Sequence, residues 1–208
     1  MEQQDILSMT LPELQAAVQE LGEPKFRAKQ IFNWLHQKRV TDFSEMTTLS
    51  LPFRERLASD FCINRLKIAK RLASSVDDTV KYLYELPDGN YVETVCMQYH
   101  HGTSLCISTQ VGCRMGCRFC ASAIAGFVRN LTPAEMLLQI YETERAQNCK
   151  ISSLVLMGIG EPLDNFDNVL RFLQLLSDPN GYGMSLRHVT VSTCGVVPKI
   201  LELAEQRL

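Results

Sequence analysis

From residue 103 onward the sequence alternates between two hydrophobic periods, and this alternation restricts the fold more than any other feature. TSLCISTQ (103–110) suits a strand. TPAEMLLQIYETERAQ (132–147) opens with the capping-box pair Thr132 and Glu135 and has Pro133 at the first helical position. SSLVLMG (152–158) fits a buried strand, and FDNVLRFLQLLSD (166–178) puts Val169, Phe172, Leu173 and Leu176 on one helix face. RHVTVST (187–193) is a further strand, and VPKILELAEQRL (197–208) begins a further helix. Strand, helix, strand, helix implies parallel strands joined by helical crossovers, an α/β fold. In such folds, sites collect at the carboxyl ends of the strands.

The earlier part of the chain reads differently. TLPEL (10–14) is a capping-box start, Leu11, Leu14, Val18 and Leu21 follow at helical spacing, and Gly22 ends the run. A second helix is expected after Pro24, with Phe26, Ile31, Trp34 and Leu35 apolar, and a third around LPFRERLASDF (51–61). KIAKRLAS, VKYLYEL and YVETVCMQY read as strands, and PDGN (87–90) is a hairpin turn between the last two. The expected division is a helical domain with its linker over residues 1–75 and an α/β domain over residues 76–208. With 208 residues and 46% hydrophobic side chains, the chain can bury a core without disulfides. Its formal net charge of −2 gives no global basic footprint for nucleic acid. The start MEQQDILSMT lacks a basic, apolar leader, and no apolar run is long enough to span a bilayer, so a cytoplasmic location away from membranes is expected. Eight cysteines in a reducing compartment point to metal binding or catalysis.

Three of those cysteines, Cys113, Cys117 and Cys120, fall within VGCRMGCRFCAS (111–122), in the loop after the first strand of the alternating region. Three thiolates from one loop leave one iron of a four-iron cluster without a protein donor, free to bind a small molecule. Zinc is the alternative, with His100, His101 or Cys106 as the fourth ligand, although only Cys117 and Cys120 form the usual C-x2-C knuckle. An electron-transfer ferredoxin with Cys106 as fourth ligand is a third reading.

The spacing C-x3-C-x-aromatic-C, with Phe119 as the aromatic, resembles the signature of the radical S-adenosylmethionine (SAM) superfamily. The resemblance implies a [4Fe-4S] cluster on Cys113, Cys117 and Cys120, with SAM chelated at the open iron and split to a 5′-deoxyadenosyl radical. LMGIGEPL (156–163) follows a strand, and its glycines allow close backbone approach. It matches the superfamily's Gly-Glu-Pro segment, which implies SAM binding by Gly160 and Glu161. By the same comparison Ser192 in VTVSTCG (189–195) is implied to bind the SAM carboxylate or ribose. Taken alone, the first segment also serves as an ordinary strand-to-helix turn, and Ser and Thr are common at strand ends.

YVETV, GTSLCISTQVGCRMGCRFCAS, GFVRNLTPAE, LVLMGIGEPLDN and VTVSTCGVVPKI together resemble one family, the dual-specificity 23S rRNA and tRNA adenine-C2 methyltransferases. The implied fold is a partial radical SAM (β/α) barrel preceded by a small helical accessory domain and a short β-hairpin region. Carbon 2 of adenine is electron-poor and cannot displace the methyl of SAM directly. The family carries that methyl on a cysteine and uses a second SAM to make it a radical. Cys106 matches the family's resolving cysteine, and Glu93 its proton acceptor. The implied partners are 23S rRNA, tRNA and a flavodoxin-like or ferredoxin-like electron donor. Lys25, Arg27, Lys29, Lys38, Arg39, Arg65, Lys67, Lys70 and Arg71 are candidate phosphate contacts. Cys194 stands where the family has a small residue and is read as packing in the pocket wall. Cys62, Cys96 and Cys149 match no motif. Three strand–helix units are visible where the family has six, and nothing here matches the methyl-carrying cysteine, so an incomplete form of the enzyme is expected. The same motifs occur in a relative that methylates carbon 8 of adenosine and confers antibiotic resistance. A non-catalytic, zinc-stabilised RNA-binding module is the reading from another class.

Overall fold

The structure is a computed structural model that describes residues 3–124, 126–206 and 208. In chain order its elements are β1 (Gln4–Asp5), α1 (Leu11–Glu20), α2 (Phe26–His36), α3 (Leu51–Asp60), β2 (Phe61–Cys62), β3 (Lys67–Ala73), β4 (Val80–Glu85), β5 (Tyr91–Tyr99), β6 (Gly102–Cys106) and β7 (Gln110–Gly112). Then follow β8 (Phe127–Asn130), α4 (Pro133–Gln147), β9 (Ile151–Leu156), α5 (Phe166–Ser177), β10 (Val189–Val191) and α6 (Val197–Glu205).

The main sheet has six strands in the order β10-β9-β6-β5-β4-β3. β6, β9 and β10 pair in parallel, which is the arrangement the strand–helix alternation requires. β3, β4 and β5 extend it as an antiparallel meander, with the PDGN turn between β4 and β5 closed by Leu86 N–H to Asn90 O at 2.8 Å. Because β3 pairs with β4 from Lys67 onward, the sheet takes in residues that the sequence reading placed in the linker of a 1–75 unit.

One helix organises the core. α4 buries every side chain from Pro133 to Glu144, because it lies between the sheet on one side and the N-terminal helices on the other. Toward the sheet, Thr143 Oγ1 meets Tyr84 Oη at 2.8 Å, and Gln139 accepts from Thr94 Oγ1 at 2.8 Å. Toward α2, Tyr141 Oη meets His36 Nδ1 at 2.9 Å. Thr132 and Glu135 form the expected capping box, with Thr132 N–H donating to Glu135 Oε2 at 2.9 Å. Glu135 also takes a forked pair of bonds from Arg129 at 2.7 and 2.8 Å, which fixes β8 to the head of α4.

The N-terminal helices share the same core: Ile6, Leu14, Ile31 and Phe32 are fully buried in one cluster with Leu137 of α4 and Phe172 of α5. Glu13, which caps α1 by accepting from Thr10 N–H at 2.8 Å, also binds Arg171 of α5 at 2.5 and 2.6 Å. Among the described residues no helix is long and apolar enough to cross a membrane.

Candidate functional site

The three cysteines occupy the loop between β7 and β8, a small antiparallel hairpin that the sequence reading ran together with the preceding strand. Gly112 closes its base with φ of +71°, and a Cβ there would fall 1.8 Å from Gly126 O. Cys113 N–H donates to Gly126 O at 2.9 Å, and Cys120 N–H donates to Cys117 O at 3.0 Å. All three thiols are half-buried. Hydrogen bonds from Ser122 and the Ala123 backbone hold the Cys120 thiol below its ordinary pKa, favouring the thiolate. Arg114 braces the loop from outside, pairing with Asp164 at 3.0 Å and stacking over the Phe127 ring at 3.8 Å.

The Gly-Glu-Pro segment, which follows β9, lies directly against this loop. Gly158 and Gly160 are glycines because backbone crosses them closely. A Cβ on Gly158 would meet Ile107 O at 2.7 Å, and one on Gly160, whose φ is +108°, would meet Gln110 Cβ at 2.6 Å. Glu161 is 3% exposed, yet its carboxylate is fully partnered. Oε1 accepts from Leu163 N–H at 2.9 Å, and Oε2 accepts from Cys194 N–H at 2.7 Å. The second bond joins the loop after β10 to the loop after β9. Cys194 is exposed, and its thiol is desolvated, hydrogen-bonded to Glu161 and close to Cys117 and Cys113. Those influences push it up to about 11, so it stays protonated at neutral pH. It stands against Glu161 in the pocket wall, where the sequence places it, but as an exposed contact of that carboxylate.

Ser192 follows β10 directly and is half-buried. Its hydroxyl carries no hydrogen bond among the described residues. Phe119 does not join the pocket: it is 95% exposed, because the tip of the cysteine loop has no neighbouring element to receive an aromatic ring.

Glu93 and Cys106 lie on one face of the main sheet, the face turned away from α4. Thr94 and Leu105 are buried toward the helix, so the alternation of each strand sends residues 93 and 106 to the other side. Val95, two residues after Glu93, pairs with Cys106 across β5 and β6. Glu93 forms an ion pair with Lys81 Nζ at 2.8 Å. Burial raises the Cys106 thiol pKa, partly offset by a hydrogen bond from the Met157 backbone.

Several residues that build this site carry no motif. Gln110 accepts from Glu161 N–H at 2.9 Å and donates to Asn130 and Asp164 at 2.8 and 2.7 Å. Asn165 donates to Thr109 O and Leu131 O, each at 2.8 Å. Ser108 Oγ donates to Glu93 O at 2.6 Å and accepts from Ile159 N–H at 3.0 Å. The only signal for them in the sequence is their place inside the motif segments, in the polar runs STQ (108–110) and DN (164–165).

The donor set fits a cluster with an open corner better than a closed zinc site. His100 and His101 belong to the turn before β6, at the end of that strand opposite the cysteine loop. Among the described residues no three His, Cys, Asp or Glu side chains converge closely enough to hold one metal ion. A four-iron cluster spreads its thiolates around a larger body than a single ion does. Three cysteines on a clamped loop, beside a carboxylate that follows two glycines, supply the thiolate donors that such a cluster takes.

The candidate basic contacts divide into two groups. Arg39 pairs with Glu144, Arg65 with Glu142 at 3.5 Å, and Arg27 with Glu23 at 3.8 Å, so these three brace the fold. Lys38 lies over the Trp34 ring at 3.4 Å. Lys25, Lys29, Lys67, Lys70 and Arg71 are exposed and have no ion-pair partner among the described residues.

Comparison with known proteins agrees with this arrangement. Residues 4–63 match the family described as Ribosomal RNA large subunit methyltransferase N-terminal domain, and residues 107–207 match the Radical SAM superfamily. The probable dual-specificity RNA methyltransferase RlmN of Lachnoclostridium phytofermentans is 53% identical over 205 residues, covering 97% of this chain and 57% of the relative. The corresponding protein of Alkaliphilus oremlandii is 50% identical over 208 residues, covering 100% of this chain and 60% of the relative. The crystal structure of a radical SAM methyltransferase from Sphaerobacter thermophilus superposes with a TM-score of 0.89 at 35% identity, over 97% of this chain and 60% of that one. The chain thus spans less than two thirds of the length of these relatives. Agreement in sequence across both matched regions, and in fold across nearly every residue, means that the chain belongs to the radical SAM methyltransferase family represented by these RlmN proteins.

Proposed function

We propose that this chain carries the cluster- and SAM-binding part of a methyltransferase acting on carbon 2 of adenosine in 23S rRNA and tRNA, in the cytoplasm. The observation that carries the reading is the bond between Glu161 and Cys194 beside the cysteine loop, because it gathers three strand ends around one carboxylate.

Cys113, Cys117 and Cys120 would hold a [4Fe-4S] cluster. When bound, that cluster and SAM supply a 5′-deoxyadenosyl radical by one-electron cleavage, with the electron coming from a flavodoxin-like or ferredoxin-like donor. Glu161 and the backbone at Gly160 would receive the SAM ammonium, since a buried carboxylate already carrying two N–H donors is held in one orientation. Ser192, with a free hydroxyl, suits the SAM carboxylate or ribose. On the sheet's open face, Glu93 would accept the proton lost from the methylated ring, and Cys106 would resolve the protein–RNA adduct; adjacent strands bring both to one surface. Residues 1–75, read as an accessory unit, would hold RNA together with the sheet edge, where Lys67, Lys70 and Arg71 stand exposed.

The test is anaerobic reconstitution of the chain. The expected product is brown, holds about four iron and about four sulfide per chain, and changes its cluster spectrum on addition of SAM. Glu161→Gln should keep the iron and weaken SAM binding about tenfold or more, the loss of one charge-assisted contact. Colourless protein holding stoichiometric zinc, with no response to SAM, would overturn the reading.

A further inference from the structure

A second group of thiols lies on the opposite face of the sheet from Cys106. Cys96 sits in the middle of β5, between Val80 of β4 and Leu105 of β6, and is 4% exposed. Cys149 follows Asn148, whose φ of 49° ends α4 and turns the chain toward β9. The two thiols lie close enough to perturb one another's ionisation, and Thr103 acts on the Cys149 thiol in the same way. Both cysteines line a surface hollow of about 370 Å3, together with Arg71 of the edge strand β3 and with Asp77 and Asp78 of the β3–β4 turn. Cys149 is the half-buried member of the pair and the one a reagent entering the hollow meets first.

We propose that Cys96 and Cys149 form an oxidisable dithiol site whose oxidant is a small peptide disulfide of the glutathione disulfide type, docking in this hollow. The lining matches a zwitterionic reagent. Arg71 has no ion-pair partner among the described residues and can give its guanidinium to a carboxylate, while the exposed Asp78, and Asp77 whose Oδ1 already accepts from Thr79 N–H, add negative charge that suits an ammonium. The chemistry is two thiol–disulfide exchanges. The Cys149 thiolate attacks one sulfur of the reagent, a mixed disulfide forms, and one small thiolate leaves. The Cys96 thiolate then attacks the Cys149 sulfur, the protein disulfide forms, and the second small thiolate leaves. The protein loses two electrons, the reagent gains them, and the two protons end on the two small thiols. Burial raises both protein thiols, Cys96 to about 11, so exchange is slow at neutral pH and accelerates as pH rises. The bond would tie the centre of β5 to the α4–β9 turn, well away from the cysteine loop.

The experiment treats the purified chain with glutathione disulfide, quenches with an alkylating agent and maps disulfides by peptide mass spectrometry. The expected result is a Cys96–Cys149 link that dithiothreitol reverses. The link should form equally in a variant carrying Cys113→Ser, Cys117→Ser and Cys120→Ser. Cys96→Ser should stop the reaction at a glutathione adduct on Cys149, and Cys149→Ser, a change at a half-buried position, should give no link at Cys96. Free Cys149 after treatment, a wild-type chain that halts at the mixed disulfide, or Cys149 joined only to another cysteine would each overturn the proposal.

Discussion

His36 shows how one buried side chain sets a pH limit on the whole molecule. It is 1% exposed, its Nδ1 meets Tyr141 Oη at 2.9 Å, and its Nε2 is buried with no partner among the described residues. Desolvation pushes its pKa from 6.5 down to about 4, although Asp178 pulls the other way. A histidine that resists protonation when folded but accepts it when unfolded stabilises the fold above its unfolded pKa. That contribution is lost as pH falls from 6.5 through about 4. The expected loss is about 3 kcal/mol. His36→Gln removes it, so the stability gap between wild type and variant in urea titrations should shrink by about that amount between neutral pH and pH 4. A gap that stays constant over this range would show that the ring is not protonated on unfolding. Neither the burial of His36 nor its partner was legible in the sequence, because both depend on α2 crossing α4 from 105 residues away.

Among the elements, the β7–β8 hairpin decides whether the three cysteines can act together. The triplet is legible in the sequence, but TSLCISTQ (103–110) before it reads as one continuous strand. Instead the chain leaves the main sheet after Cys106, and Gln110 bonds to Glu161 N–H, Asn130 and Asp164. Gly112→Ala tests this element, since the added methyl would strike the Gly126 carbonyl at the hairpin base. Helix content by circular dichroism should hold near the wild-type level, while iron and sulfide retained after reconstitution should fall several-fold. Full iron loading in that variant would mean that the hairpin is not what positions the loop. By contrast, α4, α5 and the β4–β5 turn were legible from the start, because a capping box, an apolar stripe and a PDGN turn each act within a few residues.

At the scale of the whole molecule, the two edges of the described sheet, β3 and β10, differ in character. β3 is exposed along its full length and is edged with Lys67, Lys70 and Arg71, charges that discourage pairing with another sheet. Among the described residues, the opposite edge carries no such row of charges. β10 is only Val189–Val191, α6 buries none of its side chains, and Val197 and Leu201 are 61% and 65% exposed. A parallel edge strand with an uncovered apolar helix beside it is an association surface. The isolated chain is therefore expected to bind a hydrophobic dye and to elute above its 23.5 kDa mass in size-exclusion chromatography. Val197→Lys with Leu201→Glu should restore a monomer without loss of helix content. A wild-type chain that runs as a dye-silent monomer would show that this surface is not adhesive.

The sequence by itself determined the local elements and the chemical identity of the donors: the alternation of strand and helix, the caps, three thiols in one loop and a carboxylate in a glycine-rich turn. Each of these follows from interactions between residues a few positions apart, whose pattern is written along the chain. Tertiary structure alone decided which groups meet. It placed Cys194 on Glu161, Cys149 against Cys96 and Glu93 beside Lys81, and it left Phe119 in solvent. Those outcomes depend on strand register and on which face of a strand is turned toward α4. Both are set only when distant segments pack and every buried polar group has to find a partner.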